Sequence, residues 1–133
     1  MVQTRKRGSQ GEAFACARLQ EAGYEILAQN YYAGHFEIDI IARRAEVIAF
    51  IEVKSRVQDG YEQPAEAVSR AQQKRIMLAS VSYLKENGIY NTGEYQPRYD
   101  IFEVVTARTN ALEVVHWSHL IGAYDTGGQD VFI

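Results

Sequence analysis

Three ionisable residues interrupt two stretches of the sequence that are otherwise largely apolar. Asp39 lies in the run EIDIIA (37–42), and Glu52 and Lys54 lie in the run FIEVK (50–54). A carboxylate among apolar side chains is costly unless a cation or hydrogen-bond donors compensate for it. Two carboxylates can bind a divalent ion through oxygen, and a nearby amine can assist hydrolysis of a phosphodiester. The pattern therefore indicates a metal-dependent phosphodiesterase centre.

The two runs are predicted to be neighbouring strands joined by one turn. In such a hairpin, Asp39 and Glu52 come close enough to share an ion, for which Mg²⁺ is the natural candidate. The strand period of two places Glu52 and Lys54 on the same face. Lys54 would then orient the attacking water or stabilise developing negative charge. In the structural alternative, Lys54 pairs with a carboxylate across the sheet as a partly buried ion pair.

Glu12 fits two different roles. Ser9 and Glu12 have the spacing of a capping box, in which the glutamate bonds back to the backbone at the start of a helix. Glu12 also shares a helical face with Ala15 and Leu19, so its side chain could instead reach the metal site. The residues alone leave both roles open.

Other polar residues near these positions are candidates for supporting roles. Glu37 shares a strand face with Asp39 and would support it, although an exposed acid at a strand end would give the same pattern. Gln72 lies on the buried face of a predicted helix, where it could contact substrate or satisfy a helix-to-sheet contact. Arg98 and Asp100 alternate onto one strand face, and we interpret them as a structural ion pair or an edge-strand charge.

Charge is unevenly distributed along the chain. The net charge of −3 does not by itself favour a nucleic-acid partner. Residues 1–75, however, hold 11 of the 14 Lys/Arg and 10 of the 17 Asp/Glu, for a net +1, and the remainder carries −4. The predicted site lies in this basic half, where Arg7, Arg56 and Lys74 are predicted to contact nucleic acid. Scattered solvated charges are the alternative.

Length and composition favour one cytoplasmic domain without a membrane anchor. The 133 residues, 47% of them hydrophobic, suit a single compact domain spanning 1–133, with its core at about 8–120 and a loose tail from about 127. No run approaches the roughly 18 apolar residues of a membrane span, and the polar start lacks a secretory signal. Cys16 is the only cysteine, so neither an internal disulfide nor a zinc cluster is expected.

The order of helical and strand patterns places these residues in an α/β fold. A helix is predicted at about 11–22, and a second at 64–86 with Pro64 in its first turn. Strands are predicted at about 24–32, 35–43, 47–56, 99–106 and 112–117. This order of helix, three strands, helix and two strands predicts a sheet of about five strands flanked by helices.

Several motifs taken together resemble the YraN-like family of predicted endonucleases. They occur in the family's order over about residues 8–106: Gly8-x-x-Gly11-Glu12, Gly23-Tyr24, Asn30, EIDIIA (37–42), Glu52-Val53-Lys54-x-Arg56 and Arg98-Tyr99-Asp100. This family is related to archaeal Holliday-junction resolvases and to the restriction-endonuclease-like, PD-(D/E)-x-K, superfamily. The resemblance implies a restriction-endonuclease-like fold with a central mixed sheet. It also implies Mg²⁺, with Mn²⁺ as a substitute, and a nucleic acid, expected to be DNA, as substrate.

The resemblance also implies individual roles. The conserved acid of the superfamily falls on Asp39, its second acid on Glu52 and its lysine on Lys54. The helical glutamate of the resolvases falls on Glu12. Asp39 and Glu52 would hold the metal together with the backbone carbonyl of Val53.

The sequence departs from the family pattern at two places. Ile38 stands where the superfamily name has proline, and His35-Phe36 stands where many relatives have a glycine. Neither change removes a ligand. The function implied is a Mg²⁺-dependent endonuclease acting on DNA, with branched or junction DNA as one substrate structure and a homodimer as the matching assembly. The alternatives are a noncatalytic nucleic-acid-binding module on the same scaffold and a structural or interaction domain.

Overall fold

The computed structural model describes the backbone of residues 2–60 and 68–126, and side chains from residue 10 onward within those ranges. This part of the chain contains two helices and five strands in the predicted order. The helices are α1 (Val2–Glu21) and α2 (Arg70–Glu86), and the strands are β1 (Glu25–Ala33), β2 (Phe36–Arg44), β3 (Val47–Val57), β4 (Gln96–Thr106) and β5 (Val114–Tyr124). The predicted α/β arrangement is confirmed.

The strands form one mixed sheet in the order β1-β2-β3-β4-β5. Neighbouring strands are antiparallel except for β3 and β4, which run parallel. A parallel pair needs a crossover connection, and α2 lies in the segment that joins β3 to β4. The predicted mixed sheet is therefore confirmed, and β4 is an inner strand, so Arg98 and Asp100 do not lie on a sheet edge.

Each face of the sheet buries its own apolar layer. On one face, Leu19 of α1 packs with Ile40 and Ile51. On the other, residues of α2 such as Met77 pack with Phe50. Alternate side chains of a strand point to opposite faces, which explains why the central strands are apolar on both sides.

Strands β2 and β3 stop pairing where the site residues begin. Their antiparallel register ends with Ile40 opposite Ile51, and Asp39 and Glu52 are the next residues on the two strands. The alternation of β2 also breaks here, because Ile38 packs on the α2 side while Ile40 packs on the α1 side. The break lets polar side chains occupy a gap between two otherwise apolar strands.

Helix α1 approaches β3 closely at Gly11. A Cβ atom at this position would lie 2.3 Å from the hydroxyl oxygen of Ser55. A side chain at this position would therefore displace the Ser55 hydroxyl, while the next nearest atoms, at 3.6 Å, are at ordinary contact distance. This contact brings Glu12, the next residue of α1, toward the end of the sheet that carries Asp39.

The structure changes the helix boundaries that the sequence predicted. Helix α1 begins at Val2, so Ser9 lies inside the helix and the capping-box role of Glu12 is wrong. Lys and Arg in that segment are good helix formers, which explains the extension. Helix α2 begins at Arg70, after the Ser69 hydroxyl accepts the N–H of Gln72 at 3.1 Å, whereas Pro64 lies outside the described residues. Neither described helix is long and apolar enough to cross a membrane.

Two strands also differ from their predicted limits. Strand β4 begins at Gln96, three residues before the predicted start. Strand β5 covers Val114–Tyr124 and extends well beyond the predicted end at 117. Polar and small residues such as Gly122 obscure its pattern, but backbone pairing with β4 continues through Tyr124. The predicted loose tail from 127 lies outside the described residues.

Candidate active site

The Asp39 carboxylate is partly buried and accepts the backbone N–H of Val53 through Oδ2 at 2.8 Å. Burial raises the pKa of Asp39 to about 8, with the charge of Glu52 as the next contribution. The hydrogen bond from Val53 only partly offsets this rise, and the charges of Glu12 and Glu37 add to it. A cation beside Asp39 would lower the pKa again.

Glu52, Lys54 and Gln72 are bonded to one another beside Asp39. Gln72 Nε2 donates to Glu52 Oε1 at 2.8 Å. Lys54 Nζ lies 3.5 Å from Gln72 Oε1 and 3.6 Å from Glu52 Oε1. Burial raises the pKa of Glu52, and the charge of Lys54 is the largest effect opposing that rise. The side chain of Lys54 is 38% exposed against 12% for Glu52, so the ammonium group borders solvent.

This arrangement bears on the structural alternative for Lys54. Its ion pair is with Glu52 on the same strand, two residues away, and not with a carboxylate across the sheet. Gln72 contacts both partners from α2 and so fixes their orientation. The predicted common face of Glu52 and Lys54 is thus present in the fold.

An open cleft of about 170 Å³ gives access to Asp39, Glu52 and Gln72, whereas Lys54 is not among its lining residues. Its lining consists of residues from the start of β2, from β3 and from α2: His35, Phe36, Glu37, Asp39, Glu52, Gln72, Arg75 and Ile76. We call this the acidic cleft. The cleft brings together Glu37, Asp39, Glu52 and Gln72, and the sequence analysis named all four as candidate site residues.

Sequence reasoning missed two polar residues of the acidic cleft, Arg75 and His35. Arg75 follows Gln72 by three positions, and that spacing places two side chains on the same side of a helix. The helical spacing therefore relates Arg75 to Gln72, but it does not show that the pair faces Glu52. His35 lies in the turn that leads into β2, and its spacing from the other histidines does not suggest a metal site.

Glu12 and Glu37 meet at the side chain of Asn30. With the carboxamide oriented to satisfy its neighbours, the Asn30 nitrogen donates to Glu12 Oε1 and to Glu37 Oε2, each at 3.1 Å. Burial raises the pKa of Glu12, the charge of Glu37 raises it further, and the bond from Asn30 lowers it. Glu12 thus meets Glu37, which lines the acidic cleft, but Glu12 is not itself among the lining residues.

The three predicted nucleic-acid contacts lie in different settings. Arg56 Nε donates to Glu103 Oε2 at 2.9 Å in an ion pair between β3 and β4. Lys74 is half-buried on α2 and does not line the acidic cleft. The side chain of Arg7 lies outside the described residues. Contact of these residues with nucleic acid stays a prediction.

The donor set is compatible with a hard divalent cation. Among the described residues, no three His, Cys, Asp or Glu side chains converge as a complete metal site. Mg²⁺ commonly binds through one or two carboxylates and keeps several waters, so Asp39 and Glu52 with the Val53 carbonyl would suffice. A cation bound at Asp39 would oppose the burial and the neighbouring acids that raise its pKa, which fits this donor set.

Comparison with known proteins places the chain in a family. A family model described as the uncharacterised protein family UPF0102 matches residues 11–104. This protein belongs to the UPF0102 family. Residues 11–104 include Glu12, Asp39, Glu52 and Lys54, and therefore the candidate site. The predicted resemblance to YraN-like proteins is confirmed at the level of the family.

Individual UPF0102 proteins are similar over most of this chain. The UPF0102 protein of Syntrophus aciditrophicus (strain SB) is 44% identical over 104 residues, or 78% of this chain and 80% of the relative. That of Clostridium perfringens (strain SM101 / Type A) is 41% identical over 97 residues, or 73% and 77%. That of Rhodococcus jostii (strain RHA1) is 34% identical over 109 residues, or 82% and 90%. Their shared name states a family without an activity.

Proposed function

We propose that this UPF0102 protein is a Mg²⁺-dependent endonuclease that hydrolyses phosphodiester bonds in DNA, with branched or junction DNA as a substrate structure. The observation that carries the proposal is the pair of Asp39 and Glu52. Both are carboxylates with raised pKa values in one cleft, and an ammonium group lies beside them. Strongly shifted pKa values in a cleft are typical of functional sites, because a purely structural acid is usually compensated.

Each residue has a distinct role in the proposed site. Asp39 and Glu52 would hold Mg²⁺ together with the carbonyl of Val53. When bound, Mg²⁺ would offset charge on the scissile phosphate and lower the pKa of a coordinated water. Lys54 would orient the attacking water or stabilise the charge that develops on the phosphate. Gln72 would keep Lys54 and Glu52 in register, as its two hydrogen bonds do in the fold.

The reaction is the addition of water across one ester bond. The water oxygen bonds to phosphorus, the ester P–O bond breaks, and the departing oxygen takes a proton. Glu12 would assist from α1 through its charge near Asp39. Arg75 of α2 lines the acidic cleft, and its guanidinium group is suited to bind a phosphate oxygen. We therefore add Arg75 to the substrate contacts predicted from the sequence.

A cleavage panel tests this proposal. End-labelled linear, flapped and four-way DNA, and an RNA, are incubated with Mg²⁺, with Mn²⁺ or with chelator. We expect cutting only with metal. Asp39→Asn and Lys54→Ala should each lower the rate by about 100-fold or more. Asp59→Asn and Lys85→Ala change exposed groups of the same types elsewhere and should cut like the wild type.

Four other results would contradict the proposal. It fails if every substrate survives both metals, or if Asp39→Asn and Lys54→Ala cut as well as the wild type. Salt-dependent binding without metal-dependent cutting would identify a noncatalytic nucleic-acid-binding module. No binding at low salt and no effect of Mg²⁺ on the melting temperature would identify a structural or interaction domain.

The junction form of the proposal requires two copies of the chain. Resolution of a four-way junction needs two symmetric cuts, and a homodimer supplies two equivalent sites. Light scattering of the protein with and without a four-way junction measures this assembly. A complex with one copy per junction would exclude junction resolution while leaving cleavage of linear or flapped DNA open to the panel.

A further inference from the structure

Asn30 occupies an unusual position next to the candidate site. Its φ angle is +51°, in the left-handed region that asparagine adopts more readily than most residues. It lies within β1, on the strand that pairs with β2. The pairs on either side are Gln29 with Ile40 and Tyr31 with Ile38. Asn30 therefore lies opposite Asp39.

The side chain of Asn30 joins two carboxylates that come from different layers. Glu12 belongs to α1 and Glu37 to β2, and the Asn30 nitrogen lies 3.1 Å from an oxygen of each. Two acids that share one nitrogen repel each other, and the charge of Glu37 accordingly raises the pKa of Glu12. A carboxamide nitrogen has two N–H groups and carries no charge, so it can bond to both acids at once.

We propose that Asn30 is a positioning residue that holds the Glu12 and Glu37 carboxylates in a fixed arrangement beside Asp39. This inference rests on the proposed function for its catalytic meaning, but the arrangement itself can be tested without cleavage. Aspartate at position 30 would lack both donors and add a third negative charge. Glycine would keep the backbone conformation and remove the bridge. Asn30 thereby links the orientation of α1 to the acidic cleft.

The expected consequence is a change in the titration of Glu12. The hydrogen bond from Asn30 favours the ionised carboxylate and lowers the pKa of Glu12. Its removal should raise that pKa by about 0.5–1 unit, the equivalent of one ordinary hydrogen bond. If a metal-dependent reaction uses ionised Glu12, the acidic limb of its pH–rate profile should then shift to higher pH by the same amount.

Carbon-13 NMR titration of the Glu12 carboxyl group in full-length protein tests the inference. Asn30→Gly should raise the pKa, and Asn30→Asp should raise it more because of the added charge. Asn91→Gly is the matched control, since Asn91 is exposed and also has a positive φ of 55°. This control reproduces the backbone change away from the acids and should leave the pKa of Glu12 unchanged.

An unchanged Glu12 pKa in both folded Asn30 variants would overturn the inference. Melting temperatures identify folded variants, and glycine accommodates the positive φ if aspartate does not. With an active enzyme, Asn30→Gly should raise the Mn²⁺ concentration for half-maximal cleavage at low pH and recover wild-type behaviour at high pH. If the wild type neither binds metal nor cleaves, the proposed function fails while the NMR titration still decides the role of Asn30.

Discussion

Asp39 in β2 and Asp100 in β4 are two carboxylates in apolar strands of one sheet, but their surroundings are opposite. Asp100 is fully buried and accepts two bonds from Arg98, at 2.9 and 2.8 Å, one from His119 at 2.8 Å and one from the Gly122 N–H at 2.9 Å. Burial alone would raise the pKa of Asp100, but these partners outweigh it and lower the pKa.

The difference lies in compensation and not in burial. Burial is the largest cause that raises the pKa of Asp39; the hydrogen bond from Val53 offsets only part of the rise, and the charges of neighbouring acids add to it. Asp100 is held ionised by a guanidinium group, an imidazole and a backbone amide. A buried acid with a complete set of donors stabilises the fold, whereas one that lacks them is available to a cation. The predicted structural role of Arg98 and Asp100 is consistent with this geometry.

The largest expected effect comes from breaking the compensated cluster. Asp100→Asn removes the charge that pairs with Arg98 and leaves its partly buried guanidinium with the uncharged Tyr24 hydroxyl and ring as described partners. We expect a loss of about 3–5 kcal/mol in the free energy of unfolding, measured by urea titration at neutral pH. The exposed substitution Asp59→Asn should change it by less than about 0.5 kcal/mol. A loss below about 1 kcal/mol for Asp100→Asn would remove the contrast between the two acids.

Replacing Asp39 should have the opposite effect on the free energy of unfolding. Its folded pKa of about 8 lies above the ordinary value of 3.8, so wild-type stability is full at low pH and falls as pH rises from about 4 to about 8. Asp39→Asn has no charge to bury and should be more stable than the wild type by about 2 kcal/mol at pH 8, with the gain vanishing near pH 4. Urea titrations at both pH values measure the difference. A variant less stable than the wild type at pH 8 would contradict the uncompensated state of Asp39.

Metal binding should lower the pKa of Asp39 and so reduce its difference from Asp100. At ten times its dissociation constant, Mn²⁺ should stabilise the folded protein by about 1.4 kcal/mol, seen as a rise in melting temperature. Binding should also release protons near pH 7, because Asp39 must ionise, and calorimetry in buffers of different ionisation enthalpy counts them. Asp39→Asn should lose both effects, whereas Asp59→Asn should keep them. Equal responses from the two variants would place the metal elsewhere.

The smallest expected effects distinguish an arginine that is held in an ion pair, Arg56, from one that lines the acidic cleft, Arg75. Arg56→Ala breaks an ion pair that is partly exposed and should cost at most about 1 kcal/mol in stability. Arg75→Ala should leave stability nearly unchanged but reduce the slope of DNA affinity against salt by about one. Affinities at several salt concentrations measure that slope. If Arg56→Ala lowers the slope and Arg75→Ala does not, the sequence-based choice of Arg56 is correct and the cleft-based choice of Arg75 is wrong.

Local pattern was enough to predict most of the fold. Strands β2 and β3 were placed within one residue of their limits, because alternation and β-branched residues depend on near neighbours. The common face of Glu52 and Lys54 also follows from the strand period alone. Boundaries that depend on a cap or on distant pairing were predicted less well, as at Ser69 and along β5.

Which residues line or approach the acidic cleft depends on how the two helices pack on the sheet. Arg75 enters it because α2 lies across the sheet with Gln72 toward Glu52, and sequence does not define that rotation. Glu12 approaches the site because Gly11 allows α1 to lie close to Ser55. These contacts join residues from separate elements, so no local pattern contains them.

The sequence by itself determined that Asp39 interrupts an apolar strand and that Arg98 and Asp100 share one strand face, because both follow from the alternation of residues along a strand. Only the tertiary structure decided which acid is compensated. His119 and Gly122 reach Asp100 from β5, 19 and 22 residues along the chain, whereas the acids around Asp39 come from α1, β2 and β3. The physical reason is that the pKa of a buried carboxylate is determined by the groups that folding brings within a few ångströms, wherever they lie in the sequence.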